Sequence, residues 1–325
     1  MRLSLILSKL RSELIDADSD DWTDAELSGI ISDQQLIMVR KQVAIDEKYH
    51  NHKFDLLTTD ATQISGDVWS YRLPPWVMRI TEVRLMQTSN IDPRKNLIPE
   101  IHDGLGKGFQ YSKGNRIELW QWGDAQDITI SCAKRPARLT KGTLPDQTAM
   151  TASEMRLDED SASGDASNHP HESVDGSYVN GMFEITGVDS GATPRYVSGQ
   201  MRRCTNSQHG QQLSTTLHTL LTFEDAWSPI LATADTYEMH PEIADEHMRC
   251  LILLSARAAW QRKGNFDEIR ASSPEFTQEW NEFMSHIRPR SLTGPRVIKS
   301  RVTPQVFGQH GDDNPDFYWN GQGSL

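Results

Sequence analysis

Residues 169–172 read His-Pro-His-Glu, two imidazoles and a carboxylate within four positions, and these are donor types that zinc accepts. A structural zinc site also needs its ligands held by a rigid surrounding shell. The stretch around His169, His171 and Glu172 is rich in Ser, Gly and acids, so it reads as a solvated loop. A second cluster, His240, Glu242, Asp245, Glu246 and His247, lies at the start of a helical pattern. His247 falls five residues after Glu242, which puts the two on different helix faces, and the H-E-x-x-H pattern of zinc proteases is absent. Acids in a first helical turn complement the positive end of the helix dipole, which is the role expected of Glu242 and Asp245. Asp158, Glu159 and Asp160 are calcium-ligand types, but the glycine and the distant bidentate Glu of an EF-hand loop are missing. The glycines of GLGKG at 104–108 lack the strand-to-helix setting of a phosphate loop, and no G-x-S-x-G elbow occurs. Cys132, Cys204 and Cys250 share no metal-ligand spacing and fit a reduced, intracellular history. No catalytic residue, metal or cofactor is expected.

The elements that would position any site follow from periodicity. MRLSLILSKLRSELIDAD is an amphipathic helix with Leu3, Ile6, Leu7, Leu10 and Leu14 on one face, since Lys9, Arg11 and Glu13 interrupt any signal-peptide reading. A second helix runs from about Asp24 to Asp46: Thr23 caps it, Glu26 completes the capping box, and Trp22 staples against Leu27. Its stripe is Leu27, Ile30, Ile31 and Met38, with Ile37 beside it, and Gln34 and Gln35 interrupt it. From His52 the period becomes strand-like, and Pro74-Pro75 separates VWSYRLP from VMRITEVRLM. Short turn spacing favours an antiparallel sandwich or small barrel. Residues 151–180 carry seven acids against one Arg, a composition expected of a long flexible loop. A late helix opens at Pro241 and stops at Gly264, and another follows from Ser273 with Phe276, Trp280, Phe283, Met284 and Ile287 at helical spacing.

The predicted fold class is therefore α+β. A helical bundle is built from N-terminal helices within 1–50 and C-terminal helices within 236–288, packing through Trp22, Leu27, Ile30, Ile31, Leu251, Leu254, Trp280 and Phe283. An antiparallel β domain at 51–235, with the acidic loop at 151–180, is inserted between them, and an extended C-terminal arm occupies 289–325. The chain has 325 residues, 37% of them hydrophobic, and a formal charge of −12, which suits a solvated or partner-bound protein and argues against a mainly nucleic-acid-binding surface. No run is long enough to span a bilayer.

Four stretches in order, WTDAELSGIISDQQLIMV, YRLPPWVMRITEV, GNRIELWQWGDAQDITISCAKRPARL and MHPEIADEHMRCLILLSARAAWQRKGN, resemble the head-to-tail adaptor (connector, neck) proteins of tailed bacteriophages. The resemblance covers roughly residues 20–135 and 235–290. It implies a virion structural protein, made in the host cytoplasm, without enzymatic activity. Its homo-oligomeric, dodecameric ring would join the portal to tail or nozzle proteins and extend the DNA channel. Asp158, Glu159, Asp160 and Asp165 are then candidate acids of the channel or its rim. The C-terminal stretch places Arg288, Arg290, Arg296, Lys299 and Arg301 in a run without acids, interleaved with apolar residues up to Phe307 and closed by Phe317, Tyr318 and Trp319. That pattern suits an arm docking on the portal or a neighbouring subunit, the alternative being a basic tail that contacts genomic DNA in the channel. A rival reading is a receptor- or carbohydrate-binding virion module, a fibre or decoration protein, using Tyr111, Trp120 and Trp122 to stack on sugars; aromatics alternating on neighbouring strands more often pack a sheet.

Overall fold

The structure, a computed structural model, describes residues 1–15, 21–46, 50–86, 96–102, 106–145, 147, 150–158, 175–187, 200–213, 216–228, 230–231 and 235–287. The chain divides into Met1–Arg288 and Pro289–Leu325, and all described residues belong to the first unit.

Helix α1 spans Leu3–Leu14 and buries Leu3, Ile6, Leu7 and Leu10. Helix α2 spans Asp24–Ile45 and begins as its sequence dictates: Thr23 Oγ1 accepts the Glu26 amide at 3.2 Å, and the Glu26 carboxylate accepts the Thr23 amide at 2.9 Å. Leu27, Ile30, Ile31, Met38 and Val39 are buried along it, whereas Ile37 is partly exposed. Gln35, which interrupts the stripe by type, is fully buried.

Eight strands follow: β1 (Asn51–Leu56), β2 (Ala61–Ser65), β3 (Val68–Arg72), β4 (Val77–Leu85), β5 (Leu97–Ile98), β6 (Gly108–Ser112), β7 (Arg116–Trp120) and β8 (Ile128–Lys134). They form two antiparallel four-stranded sheets, ordered β1-β8-β4-β5 and β2-β3-β7-β6, which enclose one core that includes Leu56, Tyr71, Val83, Phe109, Ile117, Leu119 and Ile130. Pro74 and Pro75 sit between β3 and β4, where the chain leaves one sheet and enters the other. Proline has no amide to give to either ladder, so this is the place where it costs least.

The remaining strands are β9 (Lys141–Thr143), β10 (Glu154–Asp158), β11 (Met182–Gly187), β12 (Gln200–Leu213), β13 (Thr216–Phe223) and β14 (Thr236–His240), in an antiparallel sheet ordered β10-β13-β12-β11-β14-β9. Helices α3 (Met248–Lys263), α4 (Phe266–Ala271) and α5 (Ser273–Ile287) close the described chain. The left-handed Gly264, at φ 75°, ends α3.

This arrangement overturns the expected helical bundle with an inserted β domain. Most of the described structure is antiparallel sheet, in three sheets with fourteen strands against five helices among the described residues. The helices have no core of their own: Leu3, Ile6, Leu27, Ile30, Leu251 and Phe283 share one apolar cluster with Met155, Phe183, Leu221, Tyr237 and Met239 of the six-stranded sheet. The physical reason lies in unequal burial. Helix α3 buries Cys250, Leu251, Ile252 and Leu253 in succession, more than one face, so it lies inside and is covered by α1, α2, α5 and the sheet. Helix α5 buries only Phe283 and Ile287 among its residues and is peripheral. Two further expectations change. The late α-helix starts at Met248 instead of Pro241, because β14 continues to His240 and a 3-10 turn at Asp245–His247 intervenes. Within the acidic stretch 151–180, Glu154–Asp158 pairs with β13, Met155 and Leu157 are buried, and Tyr178 and Val179 are in the interior; residues 159–174 lie outside the described residues.

Replacing Ile30 with Ala removes a fully buried side chain and is expected to cost about 2–5 kcal/mol. Thr23→Ala, which removes the cap, is expected to cost about 1 kcal/mol. Urea unfolding of both variants checks the ranking; equal losses would mean that α2 is held by its cap and not by the shared core.

Candidate functional site

The sandwich and the helix-covered sheet are joined by the chain that leaves β8. From Ser131 to Thr140 all residues except Arg135 and Arg138 are buried, yet 135–140 belong to no strand or helix. A buried irregular segment must find partners for its backbone groups outside any ladder. Here the Arg135 amide donates to the Trp76 carbonyl at 2.8 Å, the Ala137 amide to Glu242 Oε1 at 3.0 Å and the Leu139 amide to Ser32 Oγ at 3.0 Å. Pro136 has no amide to satisfy. Gln35 closes the clasp with both ends of its side chain: Nε2 donates to the Ala137 carbonyl at 3.4 Å, and Oε1 accepts the Glu242 amide at 3.1 Å.

Around this clasp lie the charged groups. Lys134 is buried at 2% exposure, and its Nζ donates to the carbonyls of Ser177 and Val179 at 2.7 and 2.8 Å. The indole of Trp76, the residue after the proline pair, donates to the Asp175 carbonyl at 2.8 Å. The next residue, Gly176, has φ +75°, and a Cβ there would meet Trp76 Nε1 at 2.8 Å, so only glycine fits. The Glu242 carboxylate is 3.6 Å from His50 Nδ1, and His50 Nε2 lies 2.9 Å from Gln42 Oε1 on α2. Burial alone would raise the Glu242 carboxyl; the His50 ring, the Lys134 charge and the Ala137 amide outweigh it and hold the group below its usual range.

The start of the chain is pinned to the same body. No side chain caps α1 at its Arg2 N-cap, and instead the Ser4 amide donates to Glu238 Oε2 of β14 at 2.8 Å. The Met1 amine pairs with Asp245 at 2.5 Å. Arg2 and His240 both hold the buried Glu184 carboxylate, the latter at 2.7 Å. Burial pushes that carboxyl up, but these two hydrogen bonds prevail and leave it lowered. Arg249 of α3 pairs with Glu13 of α1 and with Glu275 of α5.

The sequence candidates fall as follows. Leu27, Ile30, Ile31, Leu251 and Phe283 are core residues, and Trp22, Leu254 and Trp280 are partly buried against that core, in contact with a sheet-containing cluster and not a bundle. Glu242 is not a dipole partner at a helix start; it is the acceptor that receives the crossing segment. Asp245 serves the N-terminal amine. Asp158 ends β10; Glu159, Asp160, Asp165, His169, His171 and Glu172 lie outside the described residues, as do Arg288, Arg290, Arg296, Lys299, Arg301, Phe307, Phe317, Tyr318 and Trp319. The three sugar-stacking candidates do not converge on an open face. The Tyr111 hydroxyl accepts the Ile80 amide at 2.8 Å, Trp120 Nε1 donates to Glu118 at 3.2 Å, and Lys107 Nζ covers the Trp122 ring at 3.8 Å. Cys132, Cys204 and Cys250 are free and buried, and burial pushes each thiol up to about 12, which makes them inert at neutral pH. Beside the proline hinge, an open groove between α2 and β4 is lined by Arg40, Arg79 and Arg135 together with Leu36, Val43 and Met78.

No protein-family model matches the chain, and no curated protein sequence is significantly similar to it.

Lys134, His50 and Ser32 are not singled out from the sequence, and Gln35 enters there only as an interruption of the α2 stripe. A signal exists for two of them: Gln35 occupies an inward position of an otherwise apolar stripe, and Lys134 continues the buried phase of ITISCAK.

Gln35→Leu would orphan the Ala137 carbonyl and the Glu242 amide, at about 1–3 kcal/mol for each buried group, readable by urea unfolding. The acid limb of stability has a defined sign. Glu184 and Glu242 have folded pKa values below their ordinary 4.5, so their contribution is complete above that value and is lost as pH falls through the folded pKa. A Glu184→Gln, Glu242→Gln double variant is expected to lose stability at pH 7 and to show a flatter decline below pH 4.5. An unchanged acid limb would remove these two carboxylates from the account.

Proposed function

We propose that this chain is a structural subunit of the virion neck of a tailed bacteriophage, a head-to-tail adaptor that forms a homo-oligomeric ring between portal and tail. One observation supports the reading above the others. The four stretches that carry the resemblance are far apart in sequence, yet all four contribute to the same clasp. The first supplies Ser32 and Gln35, the second Trp76, the third Lys134, Ala137 and Leu139, and the fourth Glu242. The stretches that carry the resemblance thus meet at one location in this chain, the joint between two β bodies.

An adaptor works through interfaces held at fixed angles to each other, so its conserved physical requirement is a stiff joint and not a reactive pocket. An exposed surface at the start of α1 suits a neighbour. Leu5 and Met201, 47% and 46% exposed, line an open groove with Met1, Arg2 and Ser8, a place for lateral contact within a ring. The formal charge of −12 would keep a channel wall from adhering to DNA phosphates during passage. Residues 289–325, with Arg290 to Arg301 and the aromatic triplet Phe317, Tyr318 and Trp319, would supply the portal or neighbour contact together with the preceding Arg288.

The test is co-sedimentation with purified portal rings. A chain lacking residues 289–325 is expected to keep its unfolding midpoint and to lose stable attachment by about tenfold or more, as for removal of an anchoring aromatic cluster. Attachment at undiminished affinity would refute the docking role of that segment. Reconstruction of the particle tests the reading as a whole: density for this chain in a fibre or in the capsid shell, and not at the neck, would overturn it.

A further inference from the structure

Glu246, His247 and His286 are brought together from the 3-10 turn that precedes α3 and the last turn of α5, and their ligand atoms all lie within 4.8 Å of one another. Glu246 Oε1 is 3.4 Å from His247 Nε2 and 3.7 Å from His286 Nδ1. Nitrogen and oxygen ligands at about 2.0–2.1 Å from a tetrahedral zinc ion stand about 3.3–3.4 Å from each other, so the two Glu246 separations need only a few tenths of an ångström of closure, and the two imidazoles, within 4.8 Å of each other, need at most about 1.4 Å, which the exposed His286 can supply. An ion-pair account of the cluster is poorer. It requires protons on two imidazoles whose ring centroids are 5.1 Å apart, both served by one carboxylate that is mostly in solvent. A dication replaces those two protons with a single centre of charge and takes both rings in their neutral form.

The surroundings fix one of the rings. His247 is 5% exposed, and its ring stands edge-on to Phe283 at 5.1 Å. The packed ring gives a fixed ligand, while the exposed Glu246 and His286 can adjust and leave a fourth position to water. We propose that Glu246, His247 and His286 form a binding site for a transition-metal dication, with zinc as the ion whose ligand preference fits two imidazoles and a carboxylate. Such an ion would tie the beginning of α3 to the end of α5, at the point from which residues 288–325 continue. The site does not depend on the adaptor reading.

The experiment uses the full chain, stripped with a chelator and then dialysed against zinc or cobalt(II). One ion per chain by elemental analysis, a tetrahedral cobalt absorption band and a rise in melting temperature with zinc are expected. His286→Asn is the main variant, because His286 is 45% exposed and its loss leaves the core intact. It should keep the wild-type circular dichroism spectrum, lose the band and bind zinc at least about tenfold more weakly. A variant with His169 and His171 both changed to Asn should keep the band. The proposal is overturned if the wild type binds no ion, if His286→Asn binds as tightly as wild type, or if the band disappears only in the His169, His171 variant.

Discussion

The described structure depends on a stretch of polypeptide that crosses a dry interior without secondary structure. Residues 135–140 leave the sandwich and enter the second body mostly buried, and their amides and carbonyls cannot turn to water. Each orphaned group would cost about 1–3 kcal/mol, comparable to a large share of the stability of a whole domain. The polar side chains found in otherwise apolar places answer this demand. Gln35 and Ser32 interrupt the face of α2 because the crossing segment lies against it, and Glu242 turns inward because the Ala137 amide needs an acceptor. Glu242 then brings a negative charge close to the interior, and the buried Lys134 ammonium, fixed by two carbonyls, makes that charge tolerable.

The burial of α3 follows from the same geometry. The loop at Pro241–Ala244 is held against α2 by the Gln35–Glu242 hydrogen bond, so the helix that follows it starts inside the body, between α1, α2 and the six-stranded sheet. Only a helix apolar on several faces can occupy that place, and the run Cys250–Leu253 meets the requirement. The ion pairs lie further out. Arg249 with Glu13 and Glu275, Lys263 with Asp21, and Lys141 and Arg11 with Asp24 have at least one partly exposed partner each. Such pairs contribute little net stability, and they act instead by favouring one registry of helix ends over another.

Local signals and long-range ones differed in how far the sequence revealed them. Helix α2 was legible to the residue at its start, because the capping box is a contact between near neighbours. The strands of the sandwich were legible as strands, because alternation and turn residues act within a few positions. Membership of sheets was not: β9 and β14 pair across more than ninety intervening positions, and no local pattern encodes that. For the same reason four helices with apolar stripes suggested a bundle, since a stripe states how much must be covered and not what covers it. Strand β10 was hidden by composition. Averaged over 151–180, the acids and serines dominate, while Met155 and Leu157 alone mark a short buried run. The cluster at Glu246 and His247 reads as dipole complement at a helix start, because His286, which lies beside it in the fold, belongs to another helix and is nearly forty positions away.

A joint made of one covalent crossing can pivot about that line. This one has additional fixings away from it: Lys134 reaches Ser177 and Val179, Trp76 reaches Asp175, and the crossing segment itself is held by α2 and Glu242. Those contacts bring residues 175–179, α2 and Glu242 to the crossing from separate parts of the chain. The proline pair before Trp76 adds stiffness, since its fixed φ angles allow little backbone adjustment where β3 passes to β4. Gly176 completes the fit by letting the backbone lie against the indole without a Cβ between them. Force applied to the sandwich is therefore carried to the helical layer through hydrogen bonds in a low-dielectric setting, where each resists opening more strongly than it would at the surface. The buried polar groups are concentrated at the one place where the two cores meet because that is where the irregular backbone of 135–140 needs partners.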